Sequence, residues 1–310
     1  MMKLLTGVGF KGVLIGLLLV FMAASWQFLT DPLAGMTNVV TPAVKVTRGI
    51  EYGTVGGATL RLDVYEPRAW SVFPRPSILL IHGGGWTGGD KDGERDLAAS
   101  LVPQGFVAFA INYRLAHEGR NRYPAQIQDA RRAVRWIRLH AHDFGADPDR
   151  LAAVGWSAGG HLAGLLGTTD VEDPEDPNSR EVSSRVDCVV STAGPTDFTD
   201  AANPAVGPSL AETLPMLFGR SLGDAPGLYR DASPVAFADS KAAPTLLFHG
   251  AQDAIVPVEQ ARRFHRALQA AGAEVRYVEI ADEGHGFLAP DNHRRWTDEI
   301  AGFLVHHLKP

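Results

Sequence analysis

Short, fully apolar runs separated by longer amphipathic ones set the narrowest limit on what this chain can become. "SILLIH" (77–82) and "FVAFAIN" (106–112) show no polar alternation and read as strands buried on both faces. Runs at 151–155, 186–192, 245–249 and 274–280 read as further strands, and "TLRLDVYEP" (59–67) alternates as a half-exposed antiparallel strand does. Between them, "PAQIQDARRAVRWIRLHA" repeats Ile127, Ala130, Val134, Ile137 and Ala141 along one side of a helix opened by Pro124. Its Arg131, Arg132, Arg135 and Arg138 are expected on the solvated side. Helical patterns also cover 158–168, 257–271 and 292–308. Strands alternating with helices imply right-handed βαβ units, and so an α/β domain with a mostly parallel sheet between two helical layers. Such sheets bind ligands beyond the carboxyl ends of their strands, so chemistry is sought in the loops that follow each run.

Charge narrows the partners. The 310 residues carry a net charge of −6, which argues against nucleic acid. The lone Cys188 excludes an internal disulfide, no zinc-type spacing exists, and Cys188 itself is expected to be a small buried residue. At the start, Lys3 and Lys11 precede an uncharged apolar run from Gly12 to about Trp26, followed in part by Ala23, Ala24 and Ser25. A basic region, an apolar stretch and a small-residue exit describe a secretory signal. The absence of charge before Asp31 equally fits an uncleaved anchor, which would tie the chain to a membrane. The expectation is export, with residues 1–25 as signal peptide or anchor, 26–47 as linker and 48–310 as the domain. The acidic, proline-interrupted stretch 170–184 is expected to be a surface loop without chemistry. Residues 195–243, with one short helix near "ETLPMLF", are long enough to contribute to a lid and too short for a second domain.

The chemistry lies at the strand ends. Gly155-Trp156-Ser157-Ala158-Gly159 joins a strand-like run to a helix-like one, the G-x-S-x-G arrangement of a nucleophile elbow. A turn that tight leaves no room for side chains two residues before or after the serine. The helix amino terminus behind it favours developing negative charge. A serine nucleophile needs a base and an oriented acid, in the chain order Ser, Asp/Glu, His. Asp253 follows the strand "TLLFH" and His285 follows "VRYVEI", both on the side that carries Ser157; Asp197, in "GPTDF", is the fallback acid. "IHGGGW" (81–86) supplies glycine amides for an oxyanion, from Gly84 and Gly85 together with Ala158. His82 is expected to hold the glycine loop by a local hydrogen bond, and His249 to be structural. Trp86, Trp156 and His161 either wall a substrate pocket or simply pack.

With "IHGGGW", "NYRL", "VGWSAGGHLAGLL", "HGAQDAIVP" and "EGHGF" in this order, residues 48–308 resemble an α/β-hydrolase. The chain is most similar to the hormone-sensitive-lipase-like esterases, in their bacterial feruloyl and acetyl-xylan esterase-like (BD-FAE) branch. The resemblance implies a Ser157–Asp253–His285 triad, an oxyanion hole in the HGGGW loop and no cofactor or metal. It implies a serine carboxylesterase acting on small-molecule or polysaccharide-linked esters with short acyl or aryl groups. Residues 26–47 leave little room for the amino-terminal helical cap of many relatives, so a small or absent cap is expected. An arylformamidase-type amide hydrolase is the enzymatic alternative, and a non-catalytic binding protein on the same fold the other.

Overall fold

The computed structural model describes residues 43–200, 205–208, 211–287 and 289–309. The expected signal segment and most of the expected linker lie outside these residues. One eight-stranded sheet is built from β1 (Val44–Val55), β2 (Ala58–Pro67), β3 (Arg75–Ile81), β4 (Val107–Ile111), β5 (Ala146–Trp156), β6 (Cys188–Thr192), β7 (Thr245–Gly250) and β8 (Val275–Ile280). Its order is β1-β2-β4-β3-β5-β6-β7-β8, with β2 antiparallel to both its neighbours and all other pairings parallel. The helices are α1 (Arg95–Leu101), α2 (Ala125–His140), α3 (Ala158–Thr168), α4 (Thr213–Phe218), α5 (Pro226–Asp231), α6 (Glu259–Ala270) and α7 (Pro290–Leu308).

The apolar runs explain the layering. Successive strand side chains point to opposite faces, so Leu79, Ile81 and Phe109 pack with Ile127, Val134 and Leu165 of α2 and α3. Their neighbours Ile78, Leu80 and Ala108 pack with Leu101, Ile300 and Leu304 of α1 and α7. Each fully buried side chain of this size contributes about 1.5–3 kcal/mol. Cys188 is fully buried, and burial pushes its thiol well above the usual range, so it is inert packing. β1 begins inside the segment expected as linker. It lies at the sheet edge with only Val44, Tyr52 and Val55 buried, and register shifts at Thr47/Ile50 and Glu51/Gly53 erase its alternation.

The α2 arginines overturn the expectation of a solvated face. Arg131, Arg132 and Arg135 are 7%, 6% and 1% exposed, and only Arg138 stays partly open to solvent. Arg135 donates to Asp176 Oδ2, Val182 O and Val171 O, each at 2.9 Å. Arg132 pairs with Asp173 at 3.4 Å, and Arg131 donates to Thr169 Oγ1 at 2.6 Å. The acidic stretch 170–184 is a surface loop as expected, but it is anchored across α2 through Asp173 and Asp176, both buried. Helical periodicity identifies the stripe that meets the sheet; it does not show what covers the opposite side.

Residues 195–243 contain the expected short helix (α4) and a second, α5, that no spacing pattern announced. Phe198, Phe218 and Tyr229 form a chain of ring contacts there, with centroids 5.5 Å and 4.1 Å apart. They stand beside a cavity of about 640 Å³ whose walls include Phe198, Leu214, Leu222 and Tyr229. Among the described residues no helix is long and apolar enough to cross a membrane.

Candidate active site

Ser157 sits where β5 ends and α3 begins, with φ 55° and ψ −118°. A non-glycine residue in that region is strained, and the surrounding backbone must hold it there. Ser157 N donates to Thr192 O at 2.8 Å, and Ser157 O accepts from His161 N at 3.0 Å. The flanking glycines are required by contact. A Cβ on Gly155 would fall 2.2 Å from Gly159 O, and one on Gly159 would fall 1.9 Å from Ile81 O. The elbow inferred from the sequence is present.

The glycine loop after β3 turns through three left-handed residues in succession, Gly84 (φ 108°), Gly85 (φ 57°) and Trp86 (φ 61°). The amides of Gly84, Gly85 and Ala158 donate to no acceptor among the described residues, which leaves them available to a ligand oxygen. His82 holds this loop as expected: its Nδ1–H donates to Gly83 O at 2.7 Å, and its ring stacks on Tyr113 at 4.3 Å. The Tyr113 hydroxyl donates to His82 O at 3.0 Å. Near this layer Glu94 is buried, and burial raises its pKa from 4.5 to about 7. An acid whose folded pKa lies above its unfolded one stabilises the fold only while protonated, and that contribution is lost as pH rises through 7. Glu94→Gln copies the neutral acid. It is expected to stabilise the protein by on the order of 2–3 kcal/mol at pH 8 and to change little at pH 4, as chemical denaturation at the two pH values will read.

Asp253 and His285 meet beyond the ends of β7 and β8, with His285 Nδ1 2.7 Å from Asp253 Oδ2. The two loops are joined by Ala251 N to Ile280 O (2.8 Å) and Gln252 N to Glu283 O (2.9 Å). Asp253 Oδ1 accepts from Ile255 N and Val256 N at 2.9 and 2.8 Å. A second histidine also reaches the carboxylate. Fully buried His249 donates through Nε2 to Val256 O at 2.8 Å and lies 3.2 Å from Asp253 Oδ2. Burial works to raise the Asp253 pKa, yet hydrogen bonds from His249, His285 and Val256 hold it far below the usual carboxylate range. Asp253 is thus a fixed anion.

The fallback acid Asp197 is engaged elsewhere: Oδ2 accepts from Arg263 Nη1 at 2.9 Å and Oδ1 from Thr199 N at 2.9 Å. Trp86 and His161 pack instead of walling a pocket. Trp86 is 1% and His161 0% exposed, and Trp86 Nε1–H donates to His161 Nδ1 at 3.1 Å. His161 Nε2–H donates in turn to Ala232 O at 2.7 Å, and burial drives its pKa down to about 4, so it stays neutral. Trp156 is partly exposed, packed against Phe287 and Trp296 with its edge toward His285 at 6.4 Å. Reading His249 as structural missed its contact with Asp253. The signal was its place at the end of a buried strand, four residues before the acid.

The comparisons agree with this geometry. The BD-FAE profile matches residues 62–268, which carry the glycine loop, the elbow and Asp253, and a TAP-like protein profile matches 228–310, which carry Asp253 and His285. The probable carboxylic ester hydrolase LipM of Mycobacterium tuberculosis is 37% identical over 77% of this chain, which spans little more than half (55%) of that protein. Esterase Est2 of Thermogutta terrifontis superposes with a TM-score of 0.72 at 29% identity, over 87% of this chain and 95% of that one. The acetyl ester-xyloside bifunctional hydrolase of Caldicellulosiruptor lactoaceticus gives a TM-score of 0.72 at 27% identity, over 84% and 96%. An elbow serine, a glycine loop and an Asp–His pair at one end of this sheet, matched by that profile over two thirds of the chain, leave one assignment: the chain belongs to the BD-FAE family of α/β-hydrolases.

Proposed function

We propose that the chain is a serine carboxylesterase acting on short-chain or aryl esters, including acetyl or feruloyl groups carried on polysaccharide. The observation that carries this reading is the 2.7 Å contact between His285 Nδ1 and the Asp253 carboxylate. It fixes the proton on Nδ1 and leaves Nε2 as a base on the side of the sheet where the elbow presents Ser157. Ser157 Oγ attacks the ester carbonyl as Nε2 takes its proton, and the amides of Gly84, Gly85 and Ala158 receive the oxyanion. His285 then protonates the departing alcohol. Water enters by the same base and releases the acid. The fixed charge of Asp253 stabilises the imidazolium at both stages.

The substrate class is supported by relatives. Est2 has been seen with propionate and with butyrate, and the Caldicellulosiruptor enzyme is described as an acetyl ester hydrolase. Initial rates on p-nitrophenyl acetate, butyrate, octanoate and palmitate, and on methyl ferulate, test it. Turnover that is fast on acetate or ferulate and fades by octanoate is expected; a preference for palmitate would contradict the short-acyl assignment. His249→Leu removes one donor from the carboxylate that orients the base. It is expected to lower kcat about tenfold at unchanged KM, because a hydrogen bond to a charged group is worth about 1.5–3 kcal/mol. Steady-state kinetics on the best ester decide this. Export is proposed on the basic and apolar pattern of residues 1–25.

A further inference from the structure

The end of the sheet opposite the active site carries an unusual loop, and it forms the edge of the molecule there. Residues 68–74, between β2 and β3, leave Trp70, Val72 and Phe73 exposed by 83%, 70% and 78%. Solvent-facing aromatics at a loop tip cost solubility, and this tip is held in place instead of being free to fold back. Ser71 Oγ donates to Phe73 O at 2.8 Å and accepts from Phe73 N at 3.2 Å. From below, Arg75 Nη2 donates to Ala69 O and Arg150 Nη2 to Pro74 O, both at 2.7 Å. Arg68 is exposed beside them, and Lys309 lies on the same edge, near enough that Arg75 and Arg150 lower its pKa alongside its burial. Asp147 pairs with Arg150 at 2.7 Å and Asp149 is exposed nearby, so cations remain in excess. Ala43, the first described residue, is held at the same end, where its carbonyl oxygen accepts from Arg68 N at 2.8 Å.

We propose that this edge docks on an anionic lipid surface. Trp70, Val72 and Phe73 enter the interfacial zone, where amphipathic aromatic rings are favoured. Arg68, Arg75 and Lys309 meet the lipid phosphates, each cation near the surface favouring attachment severalfold, while Arg150, paired with Asp147, holds the loop from below. The carboxyl ends of the parallel strands, and with them Ser157, then face away from the bilayer toward water-borne substrate. The proposal is independent of the reaction assigned to that site.

A fluorophore on Val72→Cys in the full chain tests it, since Cys188 is buried. A second label on exposed Glu118→Cys, at the opposite end, serves as control. Vesicles of phosphatidylcholine with phosphatidylglycerol should blue-shift the label at position 72 and expose it to quenching by spin-labelled lipid. The label at 118 should stay in water. Trp70→Ser/Phe73→Ser should reduce the quenching at least about tenfold with folding unchanged by circular dichroism. A label at 72 that remains in water, quenching that is equal at both labels, or quenching that is equal on phosphatidylcholine alone overturns the proposal. A shift that follows protein concentration without lipid also overturns it, assigning the patch to a second copy.

Discussion

Ser157→Ala is expected to lower ester turnover by about 10⁴-fold or more, with the fold intact. The hydroxyl has no partner to replace it as nucleophile, since the neighbouring elbow positions are glycine, tryptophan and alanine. What remains is background from the oxyanion amides and from binding. Stability should respond differently from activity. Alanine keeps the strained conformation at φ 55°, whereas Ser157→Gly relieves it and is expected to gain about 1 kcal/mol while remaining equally inactive. Initial rates and urea unfolding of both variants check the pair. A glycine variant less stable than wild type would mean that the elbow carries no strain.

The largest stability effect is expected at Arg135. Arg135→Met removes three donors at once and leaves the buried Asp176 carboxyl without its partner. Loss of one partner of a buried pair costs about 3–5 kcal/mol. The double variant Arg135→Met/Asp176→Leu discards both charges and should recover much of that loss, because an apolar pair replaces an ion pair whose dehydration was itself costly. Urea midpoints of the two variants measure this. If Arg135→Met costs under about 1 kcal/mol, segment 170–184 is not anchored through this pair.

These two sites mark the difference between what the chain discloses locally and what it does not. The elbow was legible because a Cβ on Gly159 would fall 1.9 Å from Ile81 O, so only glycine fits there and geometry leaves its mark at fixed spacing. Asp253 and His285 were legible because each follows a strand, β7 fully buried and β8 alternating at the edge, and parallel strands end at the functional side of such a sheet. The α2 arginines were not, since an arginine reaching a distant acid looks in sequence like one reaching water. β1 was hidden by its register shifts, and α5 is six residues of helix packed by Tyr229, too short to show a period. Trp86 and His161 were placed near the site by their neighbours in sequence, but their side chains bond to each other beneath it. His249 stands at the end of β7, four residues before Asp253, a spacing that was legible but that does not show the chain turning back so that the two side chains meet.

Covalent trapping addresses the central claim most directly. Est2 has been captured phosphorylated by paraoxon, a reagent that marks an activated serine. Paraoxon is expected to label this protein once, on the peptide that carries Ser157, with no labelling of Ser157→Ala and much slower labelling of His285→Ala. Ester hydrolysis that persists while Ser157 stays unmodified, or label found on another residue, would contradict the assignment of Ser157 as nucleophile and His285 as its base.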